Sequence, residues 1–178
     1  MNIDVFRDNI FSENSSRFGK IAEVMIKKLY NFQHSENNYY DLSDNNKKIE
    51  VKFGRALKKN KETIDEDNIL DQLNNPIKNR MVSSENIQDR FDVNIQQVKT
   101  SEFDELYYGV FFEDRIEIFK INNDEIKNDE EIKYSDKQHK GNVGEGQFHI
   151  NNTTYPHHKE KYFQKSLTYD ELYNLFER

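Results

Sequence analysis

The chain of 178 residues contains no cysteine, which excludes a disulfide framework and any zinc site built from thiolates. It has no apolar stretch as long as a membrane span, and its N-terminus shows neither a basic start nor an apolar signal core. The sequence also lacks repeats and Pro/Gly-rich linkers that would mark a second domain. We therefore predict one domain over residues 1–178 in a cytoplasmic protein that does not bind membranes.

Positive charge is scarce as well. The chain has 26 Lys and Arg against 33 Asp and Glu, which gives a net charge of -7. This balance argues against a protein that coats nucleic acid in general, because such a protein relies on a basic surface. A specific nuclease remains compatible with it, since that enzyme needs only a local positive groove. Although the mean hydropathy is -1.05, 10 Tyr and 13 Phe supply large apolar side chains for a core.

Apolar spacing predicts an α/β domain. Asn14 and the two serines after it can cap a first helix, whose apolar residues recur at helical spacing. Thr168 and Glu171 can form the capping box of a closing helix. Alternating or dense apolar runs between these helices indicate strands. The elements expected are helices over about 17–32, 65–73 and 84–89 and after Thr168, and strands over 91–99, 106–112 and 115–121.

One hairpin carries charged residues that suggest chemistry. In the run IEVKF, apolar residues alternate with Glu50 and Lys52, so the apolar side chains can enter a core while the charged pair projects from the other face. A turn at residues 43–46 would pair this strand with residues 39–42 and bring Asp41 towards Glu50. Carboxylates are oxygen ligands that Mg²⁺ prefers, and bound magnesium can neutralise a phosphodiester and activate water. The alternative is an edge hairpin whose charges are simply solvated.

The role of Lys52 stays open at this point. A partly desolvated lysine could position the attacking water, help to deprotonate it, or stabilise the developing charge.

Asp41 followed by Ile49-Glu50-Val51-Lys52 resembles the PD-(D/E)xK motif of type II restriction endonucleases, within the stretch YYDLSDNNKKIEVKFGRALKK. A helix before the motif, apolar strands after it and the later segment HKGNVGEGQFHIN follow an order similar to that of small restriction endonucleases, over most of the chain. Tyr40 stands where the motif has proline. The resemblance implies a restriction endonuclease-like mixed central β-sheet flanked by α-helices. It also implies Mg²⁺-dependent, site-specific hydrolysis of phosphodiester bonds in double-stranded DNA.

The resemblance further implies roles for individual residues. Asp41 and Glu50 would bind the metal and Lys52 would assist the water. Glu23, on the first helix, would be a further acidic group of the catalytic site, or alternatively an exposed helix carboxylate. Because some members carry Gln in place of the acidic residue, Gln97-Val98-Lys99 is a rival pair. We prefer Glu50 and Lys52, since a neutral amide is a poorer magnesium ligand.

The segment 134–163 is predicted to be a loop that recognises DNA. Its glycines permit close backbone approach, and its polar side chains could reach base edges or phosphates, although no Gly-Lys-Ser/Thr of a P-loop follows them. The alternative is a flexible surface loop, and the histidine spacing fits no zinc pattern. The residues predicted to contact DNA are Arg55, Gln97, Lys99, Lys137, His139, Lys140, Asn142, Gln147, His149 and Asn151.

Partners follow from the same resemblance. Enzymes of this kind commonly act as homodimers on palindromic DNA, because two-fold protein symmetry matches two-fold DNA symmetry. A DNA methyltransferase would be the functional partner in a restriction-modification system. Two alternatives remain: another PD-(D/E)xK nuclease that acts in repair, nicking or structure-selective cleavage, and a non-catalytic DNA-binding protein of the same fold.

Overall fold

A computed structural model describes residues 2–58, 64–88, 90–137 and 143–178 of the chain. The helices in these ranges are α1 (Ile3–Ser12), α2 (Ser15–Tyr30), α3 (Ile69–Asn74), α4 (Asn123–Asn128), α5 (Tyr155–Lys161) and α6 (Tyr169–Glu177), with 3₁₀ turns at Ile77–Arg80 and Glu130–Ile132. The strands are β1 (Gln33–His34), β2 (Leu42–Asp44), β3 (Lys47–Arg55), β4 (Asp92–Val98), β5 (Glu105–Phe111), β6 (Ile116–Asn122), β7 (Ser135–Lys137), β8 (Val143–Asn151) and β9 (Phe163–Leu167).

The strands form a larger central sheet and a smaller second sheet. The central sheet has the order β1-β2-β3-β5-β6-β9, with β3 and β5 parallel and the other neighbours antiparallel. The second sheet has the antiparallel order β4-β8-β7. The predicted α/β class, with a mixed central sheet flanked by helices, is therefore confirmed.

Two hydrophobic clusters separate the layers. One lies between the central sheet and helices α1, α2 and α6, and Met25, Ile26, Ile49 and Val51 are buried in it. The other lies on the opposite face, where the second sheet, α4 and α5 cover the central sheet. Every residue of β5 is buried, as expected for a strand covered on both faces. Glu50 and Lys52 alternate with residues of the first cluster and therefore leave β3 on the face that carries the second sheet.

Several predicted elements are confirmed by the structure. Asn14 caps α2, because its side chain accepts the N–H of Arg17 at 3.0 Å. Asn31 ends that helix in the left-handed conformation at φ 57°. The β5–β6 hairpin forms as predicted. Thr168 and Glu171 complete the capping box of α6.

Other predictions need correction. The structure adds α1, which the sequence argument did not include although Asn2 caps it. The helix expected over 65–73 covers only Ile69–Asn74. Residues 84–88 form turns instead of a helix, because Asp114 accepts hydrogen bonds from both the N–H and the Oγ of Ser84. Among the described helices, none has the length and apolar character needed to cross a membrane.

The segment 134–163 also differs from its prediction as a loop. Its described part contains β7, β8 and α5. Phe148 and Ile150 are buried against the central sheet, so β8 is held in place by an apolar face. Gly146 is needed for packing, because a Cβ there would lie 1.9 Å from the Tyr134 Oη.

Candidate active site

The hairpin of β2 and β3 holds Asp41 beside the middle of β3. Its turn is formed by Asn45 and Asn46, and the strand before it is β2 and not the expected residues 39–42. Both asparagines are left-handed, with φ 46° and 74°, as a two-residue hairpin turn requires. The Asp41 N–H donates to the Ile49 O at 3.1 Å, and Asp41 Oδ2 accepts the N–H of Val51 at 2.9 Å. The predicted approach of Asp41 to the Glu50 region is thus confirmed.

Glu50 is a buried carboxyl group beside a lysine. Its side chain is 11% exposed, against 24% for Lys52, whose Nζ donates to Glu50 Oε1. Burial raises the pKa of Glu50 to about 7 despite the opposing charge of Lys52, and the negative charges of Asp41 and Glu102 raise it further. Glu50 therefore changes its charge near neutral pH.

Two clefts meet on this face of β3. The larger, of about 930 Å³, lies between the start of α2, β3 and β4, and Glu23 is among its lining residues. The smaller, of about 240 Å³, is lined by Glu50 together with Lys99 and others. In the described part of the chain, the residues that line both clefts are Asp41, Lys52 and Gln97. The structure thus brings together the residues predicted as catalytic, Asp41, Glu50, Lys52 and Glu23.

Glu23 is not the exposed helix carboxylate of the alternative interpretation. Its side chain is 13% exposed and faces the larger cleft. Glu23 Oε1 accepts a hydrogen bond from Lys20 Nζ at 2.6 Å and lies 3.4 Å from His34 Nδ1. That same His34 nitrogen is 3.2 Å from the Asp41 O. His34 therefore connects Glu23 to the backbone of Asp41.

The smaller cleft contains acidic residues that the sequence argument did not identify. Glu102 and Glu145 line it with Gln97 and Lys99. Lys99 Nζ lies 3.7 Å from Glu102 Oε1 in the turn that follows β4, where no helical or strand spacing indicates the pair. Glu145 comes from β8, and no local pattern relates it to β3. Gln97 and Lys99 thus accompany Glu50 and Lys52 at one site instead of forming a rival site elsewhere.

Arg55, predicted to contact DNA, is anchored within the protein. Its Nη1 donates to the Phe11 O at 2.6 Å and to the Glu13 O at 2.8 Å. The guanidinium also lies 4.5 Å from the centre of the Phe18 ring, and burial lowers its pKa. These contacts tie β3 to α2 and to the end of α1, so Arg55 shapes one wall of the larger cleft. Its contact with DNA stays a prediction.

The other predicted DNA contacts are spread over the second sheet. Gln147 is buried and accepts a hydrogen bond from Asn94 at 3.1 Å. His149 Nδ1 lies 2.8 Å from Asp92 Oδ1. Asn151 Oδ1 accepts three hydrogen bonds that organise the turn before α5. Lys137 is exposed on β7, and His139, Lys140 and Asn142 lie outside the described residues.

No group of three or more His, Asp and Glu side chains that could hold a metal ion occurs within the described ranges. Comparison of the chain with protein-family models, with curated proteins and with solved structures gives no match. The geometry of the two clefts is therefore the basis for assigning a function.

Proposed function

We propose that this protein is a magnesium-dependent endonuclease that cleaves double-stranded DNA at specific sites and has a restriction endonuclease-like fold. The observation that carries the proposal is the environment of Glu50 compared with those of two other buried glutamates of the central sheet. Glu105 is bound by Lys47 and by Lys120, and Glu117 is bound by Tyr155 and by Lys159. Glu50 has Lys52 alone in the described structure and lies near the negative charge of Asp41.

A buried carboxylate with one cationic partner and an acidic neighbour favours a further cation. Asp41 Oδ1 and Glu50 Oε2 accept no hydrogen bond from the described residues, and both residues line the smaller cleft. Magnesium is commonly held by one or two carboxylates with water completing its shell, so a set of two acidic residues fits this ion. Asp41 and Glu50 would hold it, and Glu23 would add negative charge in the adjoining cleft.

Bound magnesium would supply charge neutralisation at the phosphate and an activated water. The protein side chains would bind and position the DNA and the attacking water. Lys52 lines both clefts, so its ammonium could contact a phosphate or the attacking water while it remains beside Glu50. The larger cleft would accept the DNA strand, with the start of α2 on one side and β4 on the other. A homodimer and a partner methyltransferase belong to the same proposal.

The test is cleavage of plasmid DNA in magnesium and in calcium by the wild type and two lysine variants. Lys52→Ala and Lys47→Ala are a matched pair, because both lysines lie on β3 and both donate to a buried glutamate. Lys52 lines the clefts, whereas Lys47 is not among their lining residues. We expect discrete magnesium-dependent fragments from the wild type and Lys47→Ala, and a loss of at least about 100-fold in rate for Lys52→Ala.

The products distinguish the alternatives. Sequencing of the fragment ends would give the recognition site if the cleavage is specific. A smear would indicate a non-specific or structure-selective nuclease of the same superfamily. Binding in calcium without cleavage in magnesium would indicate a non-catalytic DNA-binding protein, and equal rates for the two lysine variants would refute the assigned site.

A further inference from the structure

Gln97 occupies an unusual backbone position in the second sheet. It lies at φ 57°, in the left-handed region, although it is neither glycine nor asparagine. The pairing of β4 with β8 passes from Gln96–Gln147 to Val98–Gly146, so Gln97 is the extra residue of a β-bulge. Such a conformation is unfavourable for a glutamine and persists only where the surrounding structure holds it.

The bulge reverses the direction of two side chains. Val93 and Ile95 are buried, so uninterrupted alternation would place Gln97 in the core and Val98 outside. With the bulge, Val98 is fully buried and Gln97 is exposed. The bulge therefore places Val98 in the core and directs Gln97 towards the face of β3 that carries Lys52.

Gln97 lies where the two clefts join. It shares this position with Asp41 and Lys52, which line the same two clefts. Its carboxamide makes no hydrogen bond to another residue in the described parts of the chain, so both its donor and its acceptor are available to a ligand. A neutral amide adds no negative charge to a site that already contains Asp41 and Glu50, and it can donate to a phosphate oxygen or to a base edge.

We infer that Gln97 contacts the nucleotide at the cleaved phosphate and thereby positions the DNA strand against Lys52. This inference rests on the proposed nuclease function. It assigns the Gln97 side chain to substrate contact, although in sequence it belongs to the second sheet and not to the Asp41–Lys52 motif.

Gln97→Gly separates this role from a structural one. Glycine adopts the left-handed conformation without steric cost, so the variant should melt at a temperature no lower than the wild type while it loses the amide. We expect about tenfold weaker binding of a fluorescent DNA duplex in calcium and at least about tenfold slower plasmid cleavage in magnesium, the loss typical of one polar contact. Gln97→Asn, which keeps an amide and tolerates this backbone, should recover part of the binding.

Lys133→Gly is the matched control, because Lys133 is also left-handed, at φ 55°, and exposed, but is not among the lining residues of either cleft. Its binding and cleavage should stay within about twofold of the wild type, since it loses no substrate contact. Binding and cleavage by Gln97→Gly within twofold of the wild type would refute the inference. If the wild type binds DNA but does not cut it, the nuclease proposal fails, whereas weaker binding by Gln97→Gly alone would still support the contact. If the wild type binds no DNA duplex, both proposals are overturned.

Discussion

Replacing Glu50 by glutamine should stabilise the protein at alkaline pH, although the same change should abolish its activity. Glu50 is buried, and its pKa is raised from 4.5 to about 7. The folded protein therefore keeps the proton up to about pH 7, whereas the unfolded chain releases it near pH 4.5. Between these values the free energy of unfolding falls as pH rises, because only the unfolded state gains the ionised carboxylate at little cost.

The pKa difference gives the magnitude. Each pH unit in this window is worth about 1.4 kcal/mol, so the wild type should lose about 3 kcal/mol of stability between pH 4.5 and pH 7 through this group. Glutamine has nearly the same shape as the protonated acid and cannot ionise. Glu50→Gln should therefore exceed the wild type by about 3 kcal/mol at pH 8 and match it below about pH 4.5.

Glu105→Gln is the control, because its expected change in stability at pH 8 has the opposite sign to that of Glu50→Gln. Burial alone would raise the pKa of Glu105, but the hydrogen bonds and charges of Lys47 and Lys120 outweigh it and lower the pKa. The ionised form of Glu105 is thus favoured in the folded state, and its contribution is lost as pH falls through the lowered pKa. Removing that charge at pH 8 leaves two lysines without a carboxylate, so Glu105→Gln should be less stable than the wild type.

Urea unfolding at pH 4.5, 6 and 8 in a buffer with a chelator measures both effects. Each variant is compared with the wild type at the same pH, since the wild-type curve also contains the titration of other groups. Repeating the titration with magnesium is a second test. An ion that binds Asp41 and Glu50 should stabilise the wild type more than Glu50→Gln, so the difference in their free energies of unfolding at pH 8 should become smaller. If Glu50→Gln is no more stable than the wild type at pH 8, the assignment of Glu50 as a buried carboxyl group with a raised pKa is refuted.

Three other predictions follow from the same structure. The magnesium-dependent cleavage rate should rise with pH and level off above about pH 7, because the metal requires the ionised form of Glu50, and initial rates between pH 5.5 and 8.5 measure this. Burial lowers the pKa of His158 to about 4, so the contribution of this residue to stability should fall as pH drops from 6.5 towards 4, opposite in sign to that of Glu50. Urea titrations that compare His158→Gln with the wild type at each pH should show the loss of this contribution. Arg55→Leu should cost about 1–3 kcal/mol, because the Phe11 and Glu13 carbonyls lose their donor; an unchanged urea midpoint would contradict the anchoring role.

The core of the site could be predicted from sequence because its parts are local. Alternation along β3 placed Glu50 and Lys52 on one face, and the polar turn before it brought Asp41 to the same place. The predicted turn began two residues too early, since Asp44, Asn45 and Asn46 are all turn formers and only the left-handed backbone of the asparagines distinguishes them. The continuous apolar run of β5 likewise indicated a strand covered on both faces.

The remainder of the site depends on contacts between distant segments. Glu102 and Glu145 reach the smaller cleft from the turn after β4 and from β8. His34, on β1, lies beside Glu23 and the backbone of Asp41. The glycines and polar residues of β8 suggested a loop, although Phe148 and Ile150 already had the alternation of a strand with one buried face. Without β8 there was no partner for β4, and the bulge at Gln97 arises only from that pairing.

Two local penalties coincide at the clefts, and this coincidence distinguishes the clefts from an ordinary sheet surface. Glu50 has fewer partners than Glu105 on the neighbouring strand, and Gln97 holds a backbone conformation that glycine would adopt more easily. Selection for stability alone would favour glutamine at the first position and glycine at the second. Both replacements would remove a group that a phosphate or a cation could contact. The cost at both positions is therefore better explained by binding than by folding. A stable Glu50→Gln without activity, together with a stable Gln97→Gly with weaker binding and slower cleavage, would support this explanation.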